Sequence, residues 1–217
     1  VPFNDPAKNA MLDALDESNT QITHVGIATL SDPGTGTNAN AVEATGGSPA
    51  YARQAVTWGA AASGVKSNTG TLTFDVPAGT YGFFLWFNAS TGNTGNYRGY
   101  APFSGASPVK GFGTVDSAGV TGDNIQSGAH GLANGDRLMV FNVFAESLPT
   151  GLTEGTVYFV VGSATNTFQV SLTSGGSAVD LTGQGELFFQ KVVPEVFASQ
   201  GQITVAAGAL TLDATSM

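Results

Sequence analysis

The chain has 217 residues and a formal net charge of −9, from 16 acidic and 7 basic side chains, with only 11% charged residues. So few and scattered lysines and arginines exclude a nucleic-acid partner, which needs clustered cations against phosphate, and disfavour an anionic membrane surface. The ample aromatic and aliphatic content excludes a disordered chain, and the length allows one large β domain or two small ones.

Cysteine is absent, so there is neither a disulfide framework nor a thiolate metal site. No apolar run approaches the ~20 residues of a membrane span, and the first residues lack the basic and apolar regions of a secretion signal. A product that leaves the cell by lysis, as part of a virus particle, fits that pattern.

Asp5 and Pro6 predict a helix over about residues 5–16, with Asp5 capping the free amides and Pro6 suited to the first turn. Ala7, Ala10, Met11, Ala14 and Leu15 share one face of it. Such a face either closes the protein's own core or anchors the chain in a larger assembly. Ile22 to Leu30 predicts a strand, followed by a long Gly, Asn, Thr and Pro loop from Ser31 to Gly47. Tyr51 to Trp58 predicts another strand, with Tyr51, Arg53 and Thr57 on one face and Val56 and Trp58 on the other. Ala60 to Thr69 reads as a small-residue loop.

The centre of the pattern is Thr71 to Asn88. Leu72, Phe74 and Val76 alternate with polar residues, as in a strand with one buried face. Pro77 to Thr80 then reverses the chain. Tyr81 to Phe87 is apolar on both faces, which places it in the middle of a sheet covered on both sides. A polar turn from Asn88 leads to a short strand, Tyr97 to Phe103.

Beyond Phe112 the texture becomes one of short strands at regular spacing. Asp123 to Ile125, Arg137 to Phe144, Val157 to Val161, Thr167 to Leu172 and Glu186 to Val193 are joined by turn-rich segments, as in a small barrel or sandwich. Gln202 to Asp213 returns to the texture of the first half, with two short strands around Ala206, Ala207 and Gly208. The expected fold is therefore mainly β: a discontinuous β-sandwich of residues 1–113 with 191–217, carrying the N-terminal helix, and an inserted small β-barrel or sandwich domain over 114–190.

Chemistry is sparse. His24 and His130 are the only histidines, and each reads as a hydrogen-bonded strand or turn residue. Asp32, Glu43, Asp75, Asp116, Asp123, Asp136, Glu146 and Glu154 are scattered singly, so no acid pair of a glycan hydrolase is marked. Asp32 with Asn38 offers oxygen ligands for calcium but reads better as turn capping. No phosphate-binding loop, dinucleotide fingerprint or nucleophile elbow occurs. The expectation is no catalytic residue, no cofactor and no metal. Tyr97, Arg98 and Tyr100 lie beside a polar loop, where they serve either to stack on a host-surface glycan or to cover a sheet edge or subunit contact. Trp58 and Trp86 read as core.

The segments DPAKNAMLDAL, ITHVGIATLSDPGTGTNANAVEATGGSPAYARQAVTWGAA and LTFDVPAGTYGFFLWFNASTG, with the following YAPF, resemble a family of virion structural proteins of tailed phages, described as minor tail or tail-fibre-like. AHGLANGDRLMVFN, LPTGLTEGTVYFVV and TNTFQVSLTSGGSAVDLT resemble a β module that recurs in phage tail and fibre proteins. The resemblance implies a non-enzymatic part of a bacteriophage particle, in a tail, a fibre or a capsid decoration. It would be assembled in the host cytoplasm from copies of itself, with trimers frequent in such appendages, and from other virion proteins.

Overall fold

The computed structural model describes residues 4–14, 21–31, 42–92, 95–105, 108–143 and 147–214. The chain divides into two compact units, one of residues 1–29, 33–101 and 195–217, the other of 30–32 and 102–194. Both are β-rich.

The first unit opens with helix α1 (Asp5–Ala14) and continues with strands β1 (His24–Thr29), β2 (Gln54–Ala55), β3 (Val65–Ser67), β4 (Leu72–Val76), β5 (Gly79–Phe87) and β6 (Tyr97–Pro102). The strand expected over Tyr51 to Trp58 narrows to β2, and the expected loop over Ala60 to Thr69 holds β3. Strand β5 is the centre: β1 pairs along one edge, His24 opposite Phe87 through Ala28 opposite Phe83, while β13 (Glu195–Phe197) and β6 also pair with it. Directly opposed residues share a face. Phe83, Leu85 and Phe87 therefore lie with Gly26 and Ala28 on one side, and Phe84 and Trp86 with Val25 and Ile27 on the other. Phe83, Leu85 and Phe87 are fully buried, as are Val25 and Ile27. Each such side chain contributes about 1.5–3 kcal/mol through removal from water.

The chain bends at Ala78 between β4 and β5, but the two strands are not hydrogen-bonded partners. Strand β4 pairs instead with β14 (Gly201–Val205), and β3 pairs with β15 (Thr211–Asp213), so two further two-stranded sheets complete the unit. Buried Asn68 ties these together: its amide donates to the Gly70 and Ala206 carbonyls at 2.7 and 3.0 Å and its oxygen accepts from the Leu210 amide at 2.9 Å.

The second unit is a closed barrel in the order β10-β11-β8-β7-β12-β9. Its strands are β7 (Lys110–Val115), β8 (Ile125–Gln126), β9 (Arg137–Phe141), β10 (Val157–Val161), β11 (Thr167–Ser171) and β12 (Gly185–Val192), with a short helix α2 (Ser117–Gly122) between β7 and β8. The boundary expected at 113/114 falls inside β7. That strand carries the reverse of the usual alternation. Gly111 and Gly113 face the core, where an added Cβ would lie 2.9 Å from Phe189 and 2.6 Å from Ile125, and Phe112 points outward, 62% exposed. Glycine leaves room for the large interior side chains of the neighbouring strands. Val115, Leu138, Val160, Phe168, Leu187 and Phe189 are among those that fill the interior.

Candidate functional site

The densest polar chemistry of the first unit is a buried node that joins the segment before β2 to β1 and β5. Arg53 donates from Nε to Glu43 Oε1 at 2.8 Å and from Nη2 to Oε2 at 2.7 Å, a two-pronged pair whose side chains are only 5% and 9% exposed. Its Nη1 donates to the Gly92 and Ala89 carbonyls at 2.9 and 3.2 Å, and its guanidinium lies 3.3 Å over the Phe87 ring. The planar fork of arginine suits this set, since it binds carboxylate, carbonyls and an aromatic face at once. Tyr51 donates its hydroxyl proton to Glu43 Oε1 at 3.0 Å and accepts from the Ile27 amide at 2.8 Å. Burial first, and the Glu43 charge second, push the Tyr51 hydroxyl far up from its ordinary value. The phenol is a fixed hydrogen-bonding group, not a titrating one. Room for the node comes from Gly26, where a Cβ would lie within about 3 Å of Glu43, Phe87 and Tyr51.

Above this node lies an open depression of about 360 Å³, lined by Tyr51 and Arg53 with Thr45, Ser90, Thr91 and Gly92. The exposed hydroxyls of its rim surround a floor whose charges are neutralised within the protein. Such a surface has shape and hydrogen-bonding capacity but no activated nucleophile or general base.

Tyr97, Arg98 and Tyr100 all lie half-buried on β6. The Tyr97 ring meets Phe87 edge-on at 5.7 Å and the Tyr100 ring meets Phe83 at 5.8 Å, two residues of the same β5 face. Residues three apart fall on opposite faces of a regular strand, and Gly99 between them, at φ 140°, breaks that regularity. Arg98 Nη1 donates to the Gly95 and Tyr97 carbonyls at 2.7 and 3.0 Å, closing the turn before β6. The three residues are thus brought together through sheet packing and turn closure.

Helix α1 docks through a face other than the expected alanine and methionine stripe. Lys8 and Leu12 are buried, Asn9 Oδ1 accepts from the Gly64 amide at 2.8 Å, and Asp13 Oδ1 accepts from the Ala61 amide at 3.0 Å and from Lys66 Nζ at 2.7 Å. Lys66 is itself buried, so its charge is held against Asp13. Hydrogen bonding to Lys66, then to the Ala61 amide, lowers the Asp13 carboxyl below its ordinary 3.8. Ala7 is half-buried, while Ala10, Met11 and Ala14 remain exposed; Leu15 lies outside the described residues. The alanines offer little area to bury, and the specific bonds of Asn9 and Asp13 decide the docked face.

The remaining singled-out groups act locally. His24 Nδ1 is 2.9 Å from the Thr23 hydroxyl, and burial followed by the Arg53 charge holds its imidazole below the usual range. His130 accepts the Leu132 amide on Nδ1 at 3.0 Å and reaches the Ala164 carbonyl from Nε2 at 2.7 Å, so its ring pins a turn. Asp75 accepts from Gln202, Asp123 from the Leu181 amide and Glu154 from Asn142, while Asp136 pairs with Lys191. Asp32, Asn38 and Glu146 lie outside the described residues. Sequence reasoning missed the Glu43–Arg53 node. Its signal was a lone arginine sharing a strand face with Tyr51 in a chain poor in cations, but the acid partner sits in a patternless loop.

Against known proteins, residues 3–120 match the family model described as podophage GP4 fiber I protein gp80. The matched stretch runs from just before α1 into α2, and most of the barrel lies beyond it. No curated protein and no solved structure gives a significant match.

Proposed function

The chain belongs to the podophage GP4 fiber I protein gp80 family, whose model covers more than half of its length, and from that membership we propose that it is a non-enzymatic structural component of a tailed-phage virion. Within the particle it serves as a fibre or minor tail protein, works by self-assembly and attachment, and carries its barrel as a phage-tail β module. The family match is the observation that carries this reading. The locally committed carboxylates and the self-neutralised Arg53–Glu43 node support it, because neither leaves a group poised for catalysis.

Immunogold electron microscopy of purified particles, with antibody raised against the recombinant chain, tests the reading. Label on the tail or its fibres is the expected result. Unlabelled particles would overturn it. Helix α1 supplies the attachment in this scheme, its exposed Ala10, Met11 and Ala14 facing a neighbour. Met11→Glu, a change confined to that exposed face, is expected to reduce incorporation into particles while tryptophan fluorescence, which reports on Trp58 and Trp86, stays native; deleting residues 1–17 would also strip buried Lys66 of Asp13 and loosen the first unit.

A second reading, a host-surface glycan-binding module, draws on the open depression rimmed by Thr45, Ser90 and Thr91. Hydroxyl groups there suit a neutral sugar more than an ion. A glycan-array screen of the full chain separates the two: selective binding, lost on Thr91→Trp, would favour it, and a blank array would leave the assembly role alone.

A further inference from the structure

The turn that leads into β9 carries the one asparagine of the chain that a glycine follows, Asn134 before Gly135. Both are exposed, and Gly135 holds φ at 90°, a conformation that favours glycine. This pair has a covalent chemistry of its own. When the Gly135 amide loses its proton to hydroxide, its nitrogen can bond to Asn134 Cγ; the Cγ–Nδ2 bond then breaks and ammonia leaves, taking a proton from water. A further water opens the cyclic imide at either carbonyl. The product is aspartate at 134 or its isomer, in which the main chain runs through the side chain and is one methylene longer. Water and hydroxide are the only co-reactants, and a glycine in second place leaves the attacking nitrogen unhindered.

In the native turn both reacting groups are tied down. Gly135 N donates to the Val160 carbonyl at 2.8 Å, and Val160 N donates back to the Asp136 carbonyl at 2.8 Å, so the turn is laced to β10. The Asp136 amide donates to the Ala133 carbonyl at 3.1 Å, Asp136 Oδ2 accepts from the Ala133 amide at 2.9 Å, and Asp136 Oδ1 pairs with Lys191 at 2.7 Å. The group under attack is fixed as well, because Asn134 Oδ1 accepts from the Ser163 amide at 2.8 Å. An amide proton engaged by a carbonyl is shielded from hydroxide. The first step therefore waits for the same local opening that lets the Gly135 amide exchange its proton with solvent. We propose that Asn134–Gly135 is a deamidation site gated by its own turn, which converts only in molecules whose barrel end has opened. The extra methylene of the isomer displaces Gly135 from Val160, so one opening leaves a permanent mark. This chemistry is independent of the role proposed above.

Peptide mapping by mass spectrometry of the full chain, held at mildly alkaline pH, follows the amide-to-acid mass gain at Asn134. Hydrogen exchange follows the Gly135 amide in the same buffer. Conversion in the native protein should be at least about tenfold slower than in urea-unfolded protein, and that ratio should match the exchange protection of the Gly135 amide to within about threefold. Asp136→Ala frees the Ala133 amide and removes the pair with Lys191, so it should speed native conversion and Gly135 exchange together, each relative to the same variant unfolded in urea. Lys191→Ala should do the same to a smaller extent, and it carries the test if circular dichroism shows that Asp136→Ala unfolds the barrel. Native conversion as fast as unfolded, no conversion of Asn134 in urea, or a variant that speeds exchange without speeding conversion would overturn the proposal.

Discussion

The two units resolve the unpaired edges of a β-sheet in different ways. The barrel closes on itself through six strands that follow one another in sequence, and its interior is almost wholly apolar. The first unit stays open, divided among three sheets, and is held by polar ties that bridge distant segments: Arg53 to Glu43, Lys66 to Asp13, and Asn68 to the Ala206–Leu210 turn. Closure removes edges without specific chemistry. An open sheet needs directed bonds to fix what lies beside it. The first unit should therefore be sensitive to the loss of single polar groups, and the barrel to changes of volume.

The strongest break of this contrast is Arg53→Ala. It leaves Glu43 buried without its cation and should destabilise the first unit by about 3–5 kcal/mol. Both tryptophans belong to that unit, so the urea midpoint followed by tryptophan fluorescence should fall while barrel amide protection holds. Next comes Gly113→Ala, which puts a methyl group against Ile125 and Leu187. Overpacking of this kind costs about 1–3 kcal/mol, here read as faster hydrogen exchange in β7, β8 and β12 with an unchanged tryptophan transition.

Two pH effects sharpen the picture further. Asp13 titrates below 3.8, so its contribution to helix docking is complete above that value and is lost as pH falls through the lower folded value. In Lys66→Met, carboxyl NMR should show the Asp13 midpoint moving up towards 3.8. His24 has the opposite preference for charge. Its folded value lies below 6.5, so the stability it confers is complete above about pH 6.5 and declines as pH falls from there to the folded value. His24→Gln should remove that slope from the urea midpoint measured between about pH 7.5 and 5.5, the smallest effect of the four.

How much could be read beforehand follows from the same physics. β5 was legible because apolar residues on both faces leave few alternatives, and β10 because Val157 to Val161 is a compact apolar run bounded by turns. β7 was not. Two of its three inward residues are Gly111 and Gly113, with only Val115 as an apolar one, while Phe112 points to solvent, so the strand reads as loop. β3 hid for a related reason, since its central buried residue is Lys66, whose burial makes sense only once Asp13 is brought to it from α1. The candidate site was legible only in part. The face shared by Tyr51 and Arg53 was visible, but Glu43 and the Gly26 gap that admits the node are joined to it by tertiary structure alone.

The pairing of β13, β14 and β15 with β5, β4 and β3 also has a consequence for the order in which the protein is made. A ribosome releases the aromatic strand β5 well before its partner β13, and every residue of the barrel emerges in between. At about 5–20 residues per second, this leaves several seconds in which one side of the first unit is incomplete. The barrel waits less, because its last strand β12 completes the pairing of β7 and β9 before β13 emerges. During synthesis the later unit can close first, while the earlier one holds an unfinished edge open to chaperones or to other nascent chains.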